Sequence, residues 1–359
     1  MINEERYPLN GTFELTGRCN LSCKMCLVRI GQQQICESGM RERTAGEWID
    51  MAEQVRDAGT FSLLLTGGEV MLRPDFCEIY EAISKMGFIL TVYTNATMVT
   101  DEIMGMFKKH PPHKIGVTMY GASNETYAEM CGCADGYDRF VDGVRKLSTL
   151  PSLLETRTTI IKDNLKDLSA MKEFTRREFG EDKTLTVSRF VADKIRGGVA
   201  HPKSCRLSPE ENVELIHNKI AALSHEVQKG AITLTKITEK FQVQHGVRQA
   251  EGRYIFEQCG AGINSYAISW DGKMFACELL DRGYTEPFDI GFDKAWEYLP
   301  EQYPLTKNIQ ACSECEVAGL CEVCPATRLA ETGDWFGVPE YSCGEARETY
   351  QLLEKMEIV

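Results

Sequence analysis

Six times within its first 190 residues the chain alternates a short apolar run with a stretch whose apolar residues recur at helical spacing. Runs at 12–16, 61–65, 88–94, 114–119, 155–161 and 184–190 read as strands bounded by turn residues. After the first, Thr44 stands as an N-cap with Glu47 three residues on and an apolar face beyond. Residues 74–86 open on a proline suited to the first turn of a helix, and 101–109, 137–149 and 165–179 keep the same period. Strands and helices in this alternation fit a parallel sheet with crossover helices on one side. In such folds chemistry gathers at the carboxyl ends of the strands.

Composition narrows the class. At 359 residues the chain should hold one large domain and a smaller one. Its 43% hydrophobic and 26% charged shares are those of a soluble globular protein. It lacks a run of about 18 apolar residues, so no membrane span is expected. The start, Met-Ile-Asn-Glu-Glu-Arg, has no apolar segment of a secretory signal, and a cytoplasmic location is expected. Fifty-three acids against 40 bases leave a net charge of −13, which argues against sequence-independent nucleic-acid binding. Fifteen cysteines without a signal peptide favour metal binding over disulfides.

Three of those cysteines, Cys19, Cys23 and Cys26, stand in Cys-Asn-Leu-Ser-Cys-Lys-Met-Cys, one thiolate short of the four that hold a four-iron cluster. A zinc site would more often pair Cys-x-x-Cys with a second pair, yet no histidine precedes His110. Beyond the loop, an apolar strand runs into Gly67-Gly68-Glu69. Glycines let backbone approach a ligand, and peptide carbonyls with a carboxylate can accept bonds from an ammonium. Loop and motif together resemble the radical S-adenosylmethionine (SAM) enzymes. That resemblance implies a SAM-binding [4Fe–4S] cluster whose open iron chelates SAM, with Gly67, Gly68 and Glu69 at the SAM amino group. It also implies that the six βα units form a partial (β/α)6 barrel and that the setting is low in oxygen.

Strand-end residues are then the candidates for further SAM contacts. Asn95, with Thr94, ends the third strand, and Thr118 lies near the end of the fourth, in Val117-Thr118-Met119-Tyr120-Gly121. This run resembles one in which relatives bring a hydroxyl to the SAM ribose, with Tyr120 departing from the usual Asp. Ser188 and Arg189 end the sixth strand, where Arg189 would pair with the SAM carboxylate; Arg157, within the fifth, is another candidate. Each also reads as an ordinary strand-end polar group.

A second cysteine field follows a linker near 193–204. Cys259 precedes Gly272 and Cys277; then come Cys312-Ser-Glu-Cys315, Cys321-Glu-Val-Cys324 and Cys343. Paired zinc ribbons would use Cys312, Cys315, Cys321 and Cys324 but leave Cys259, Cys277 and Cys343 unexplained. The field resembles the SPASM extension of radical SAM maturases, departing in the two rather than three residues between Cys321 and Cys324. The resemblance implies a C-terminal cysteine-rich SPASM domain carrying two auxiliary [4Fe–4S] clusters, hence three in all. Cys312, Cys315, Cys321 and Cys343 would bind the outer cluster, and Cys259, Cys277 and Cys324 the inner one, completed by an open iron or by Cys205. Expected boundaries are 1–204 for the barrel, 205–254 for a helical linker and 255–359 for the SPASM domain with a C-terminal helix. Residues 269–275 suggest a hairpin with an Asp-Gly turn. Cys77 reads as a small hydrophobe on a helix, Cys36 as part of a long loop, and Cys131 and Cys133 as loop thiols. Glu278 directly follows Cys277 and suits a base, or is simply a solvated glutamate.

The resemblance implies an oxidoreductase. One-electron cleavage of SAM yields a 5′-deoxyadenosyl radical that removes hydrogen from an unactivated carbon. The reading favours maturation of a ribosomally made peptide (RiPP) by a thioether or carbon–carbon cross-link. Alternatives are a sulfatase-maturating, formylglycine-forming dehydrogenase, a peptide epimerase, and a non-enzymatic electron carrier. A peptide or protein substrate and a flavodoxin- or ferredoxin-type electron donor are expected. So is leader recognition by a separate protein or by the catalytic domain, because only about a dozen residues precede the first strand.

Overall fold

The computed structural model describes residues 5–193, 195–197, 202–215, 251–257 and 259–356. These form two compact units, one of residues 5–206 with 262–302 and one of 207–261 with 303–356 over the described residues. The expected linker at 205–254 lies largely outside the described residues.

The first unit is built on an eight-stranded sheet in the order β6-β5-β4-β3-β2-β1-β7-β8. Strands β1 (Asn10–Glu14), β2 (Ser62–Thr66), β3 (Ile89–Thr94), β4 (Lys114–Thr118), β5 (Leu153–Thr159) and β6 (Thr186–Ser188) are all parallel. The alternation read from sequence is therefore present, with each strand end within two residues of the expected one. Helices α2 (Ala45–Asp57), α3 (Phe76–Ser84), α4 (Asp101–Lys109), α6 (Gly136–Leu147) and α7 (Leu168–Phe179) are the expected crossovers. Thr44 caps α2: its Oγ1 accepts from Glu47 N, and Glu47 accepts from Thr44 N in return. Pro74 stands before α3 rather than in its first turn, because Asp75 occupies the N-cap position. Trp48 on α2 packs against Phe13 of β1 at 4.9 Å, and Phe76, Tyr80 and Phe107 form a second aromatic group between α3 and α4. Burying each such large side chain contributes about 1.5–3 kcal/mol.

Two of the helices that were not anticipated carry cysteines near the three-cysteine loop. Helix α1 (Gln32–Ser38) carries Cys36, so that thiol is on an exposed helix and not in a loop. Helix α5 (Asn124–Cys131) ends on Cys131, which is fully buried and not a loop thiol. Both are short, with too few turns for their period to stand out in sequence. Ser123 caps α5 at its start, and Gly132, with φ of 67°, ends it in the left-handed conformation.

The expected hairpin forms as β7 (Ser265–Ile268) and β8 (Met274–Phe275), antiparallel around Gly272. It extends the main sheet, because β7 pairs in parallel with β1 from Asn10↔Ser265 to Phe13↔Ile268. Residues 266–268 are buried, as in a strand covered on both faces, and β1 supplies the backbone pairing along its edge.

In the second unit, Ser208 and Glu211 cap the helix that opens at 209. Tyr254, Phe256, Tyr303 and Trp335 stack edge to face in its core. Helices α8 (Pro325–Thr332) and α9 (Glu340–Lys355) follow.

Candidate active site

A cavity of about 280 Å³ opens at the carboxyl ends of the strands of the first unit. Glu14, Thr66, Thr118 and Thr159, the last residues of β1, β2, β4 and β5, line it together with Cys19, Cys23, Cys26, Gly67, Gly68, Tyr120 and Glu278. Parallel strands present these ends on one side, and the loop after β1 folds across them.

Backbone bonds hold that loop. Ser22 N and Lys24 N donate to the carbonyls of Cys131 and Met130 at the end of α5. Two of the three sulfurs accept hydrogen bonds from peptide N–H groups, Cys19 Sγ from Leu21 N at 3.4 Å and Cys26 Sγ from Arg29 N at 3.2 Å. Cys23 Sγ faces Cys131 Sγ at 3.4 Å. Burial, and then the Glu69 carboxylate, holds the Cys19 thiol well above its usual range. Burial pushes Cys26 up to about 11. The bond to Cys131, and then burial, raises Cys23. Among the described residues no three cysteine, histidine or acidic side chains stand in metal-binding geometry. The donor set nonetheless fits an iron–sulfur cluster. One loop delivers three thiols to one cavity, peptide N–H groups point at the sulfurs, and buried thiols need a cationic centre to ionise.

The glycines are required by the approach of two loops. A Cβ on Gly67 would lie 2.4 Å from the Thr16 carbonyl oxygen, and one on Gly68 would lie 2.2 Å from that of Arg18. Gly68 N and Glu69 N donate back to those same two carbonyls, locking the motif to the cysteine loop. The glutamate differs from expectation. Glu69 is buried, its Oε1 accepting from Thr94 Oγ1 and Met71 N and its Oε2 from Asn95 N. Its carboxylate thus ties β2 to β3 and leaves the cavity wall to the glycine backbone.

Asn95 is also outside the lining. Its Nδ2 donates to Asn20 Oδ1 at 2.9 Å and reaches Cys19 Sγ at 3.7 Å, so it positions the cysteine loop. Thr118 lines the cavity. Ser188, at the exposed end of β6, and Arg189 do not line it; Phe190 does. Arg157 lies over the Tyr93 ring at 4.1 Å. Glu278 faces the cavity, and its carbonyl accepts from Arg196 Nη1 at 2.7 Å.

Glu14 and Arg196 were missed. Glu14 is 4% exposed and pairs through Oε1 with Arg196, while its Oε2 has no hydrogen-bond partner among the described residues. Burial raises its carboxyl against the lowering effect of Arg196. The signal was present: an acid directly between the apolar residues Phe13 and Leu15.

The second unit gathers thiols into two groups. Burial pushes Cys321 up to about 11, with Cys343 and Cys312 adding to it. Cys343 is raised by burial and then by Cys312 and Cys315. Local desolvation and then Cys324 raise Cys259. Cys312, Cys315, Cys321 and Cys343 thus act electrostatically within one group, and Cys324 acts on Cys259.

Residues 13–175 match the profile of the Radical SAM superfamily. Over 357 residues the chain is 26% identical to an AdoMet-dependent heme synthase of Methanosarcina barkeri, covering 95% of this chain and 98% of that protein. It is 23% identical to the antilisterial bacteriocin subtilosin biosynthesis protein AlbA of Bacillus subtilis over 332 residues, or 90% and 68% of the two chains. The fold is shared with Streptococcus suis SuiB bound to its precursor peptide SuiA, at a TM-score of 0.64 and 14% identity over 94% and 76% of the chains.

Proposed function

Because the chain is a radical SAM enzyme, we propose that it matures a ribosomally made peptide by installing a thioether or carbon–carbon cross-link. The observation that carries this reading is the pair of thiol groups in the second unit, Cys312/Cys315/Cys321/Cys343 and Cys259/Cys324, found in addition to the three-cysteine loop. Forming a new bond from a substrate radical leaves one electron to be removed, which auxiliary clusters suit. The relatives concerned with a bacteriocin and with a precursor peptide support a peptide as the substrate class.

In this proposal Cys19, Cys23 and Cys26 hold the SAM cluster. Cys312, Cys315, Cys321 and Cys343 hold one auxiliary cluster, and Cys259 and Cys324 serve the other. When bound, cluster and SAM supply a carbon radical able to take hydrogen from an unactivated carbon. The chain's own part is to place and shield. The Gly67 and Gly68 backbone lines the cavity where an ammonium would be held, and Thr118 offers a hydroxyl beside it. Glu14 and Glu278, both in the cavity lining, are the groups that would accept a substrate proton. A low-potential flavodoxin or ferredoxin as electron donor, and a separate leader-binding protein, complete the proposal. No helix among the described residues is long and apolar enough to cross a membrane.

One other reading has a specific observation behind it. The heme synthase relative matches along 98% of its length, which suits action on a tetrapyrrole side chain. Mass spectrometry of anaerobic reactions separates the readings. A candidate peptide that loses two hydrogens and gains a thioether or carbon–carbon link supports the proposal. An unchanged mass with inverted chirality replaces it with epimerisation, and formylglycine replaces it with sulfatase maturation. Modification of an iron porphyrin in place of any peptide replaces it with the tetrapyrrole reading.

A further inference from the structure

Arg328 lies on the second turn of α8 and is only 6% exposed. Its Nη1 donates to the Gly337 carbonyl at 2.8 Å and its Nη2 to Cys312 Sγ at 3.4 Å. Its charge also acts on Cys321 and Cys343. Among the described residues no carboxylate pairs with it. A guanidinium stays protonated in proteins, and burying a charge without a counter-charge is strongly unfavourable. A carbonyl and a neutral thiol do not neutralise it. Several thiolates on a metal cluster would.

We propose that Arg328 is the counter-ion of an anionic iron–sulfur cluster held by Cys312, Cys315, Cys321 and Cys343, and that it sets the potential of that cluster. The inference rests on the auxiliary-cluster reading above. Adding an electron makes such a cluster more negative, so a fixed cation beside it, bonded to one ligand sulfur, favours the reduced form and raises the potential. Arg347 also acts on Cys343 but is exposed, so water screens it.

The test uses the full chain with Cys19, Cys23 and Cys26 replaced by Ala, which leaves only auxiliary signals. Its outer cluster is identified as the reduced-state electron paramagnetic resonance signal lost on Cys321→Ala. In that background Arg328→Met should keep the iron and change the reduced-to-oxidised ratio at least tenfold toward oxidised, about 59 mV for one electron. Arg328→Lys should restore most of the shift, and Arg347→Gln should move the potential far less. An unchanged potential in Arg328→Met with iron retained overturns the inference. If Arg328→Met loses the iron, Arg328→Lys decides: a retained cluster near the wild-type potential supports the counter-ion role, and loss there too makes Arg328 a packing residue. A background chain with no iron at these cysteines overturns the cluster reading itself, and the inference with it.

Discussion

At the scale of single residues, the site depends on side chains whose burial changes what they can do. Glu14 shows this best. A carboxylate with one oxygen on Arg196 and the other buried without a hydrogen-bond partner among the described residues is held in one orientation and kept from bulk water. General acid–base groups contribute about 10²–10⁴ in rate, so Glu14→Gln is expected to lower product formation by about that factor. Liquid chromatography with mass spectrometry would read this, and product formation at the wild-type rate would remove Glu14 from proton transfer. Glu69, by contrast, works inside the fold. Every hydrogen bond its carboxylate makes among the described residues is to β3, the residue after it or the short helix at Val70–Leu72. The Gly-Gly-Glu motif announced a ligand contact in sequence, but only packing shows that its glycines meet the cavity while its acid braces them.

At the scale of elements, helix starts and loop crossings were legible to different degrees. The Thr44/Glu47 cap was readable because its reciprocal bonds use residues three apart in sequence. Thr44→Ala is expected to cost about 1 kcal/mol in denaturant unfolding. Glu47 adds a pH dependence. Bonds from Arg41, assisted by those from Thr44, hold its carboxyl well below the ordinary glutamate value. A folded pKa below the unfolded one means that this stabilisation is complete above the ordinary value. It is lost as pH falls through the depressed one. Glu47→Gln should therefore be less stable than the wild type at neutral pH, with the difference closing in acid; a constant difference would remove the ionic contribution. The crossing of Gly68 over the cysteine loop was not legible in the same way, since its contact with Arg18 is long-range. Gly68→Ala forces a Cβ to within 2.2 Å of the Arg18 carbonyl oxygen. That variant is expected to lose most SAM affinity by equilibrium dialysis while staying folded by circular dichroism; retained affinity would show that the loops can separate.

At the scale of the whole molecule, the parallel order of β1 to β6 followed from alternation, because a parallel strand pair needs a crossover between its members. Helices α1 and α5 did not follow, being too brief to show a period. The placement of β7 beside β1 could not be read either, since about 250 residues separate the paired positions Asn10 and Ser265. Sequence spacing by itself determined the three-cysteine loop, the Gly-Gly-Glu turn, the alternating fold and the second field of thiols, all of which are local patterns. Tertiary structure alone decided that strand ends 14, 66, 118 and 159 share one cavity and that Glu69 turns away from it. It also decided that Cys131 backs Cys23 and that a buried Arg328 stands among the C-terminal cysteines. The division has a physical cause. Ligand spacing and capping are set by backbone geometry over a few residues, whereas the direction of a buried charge is set by which distant groups can neutralise or hydrogen-bond it.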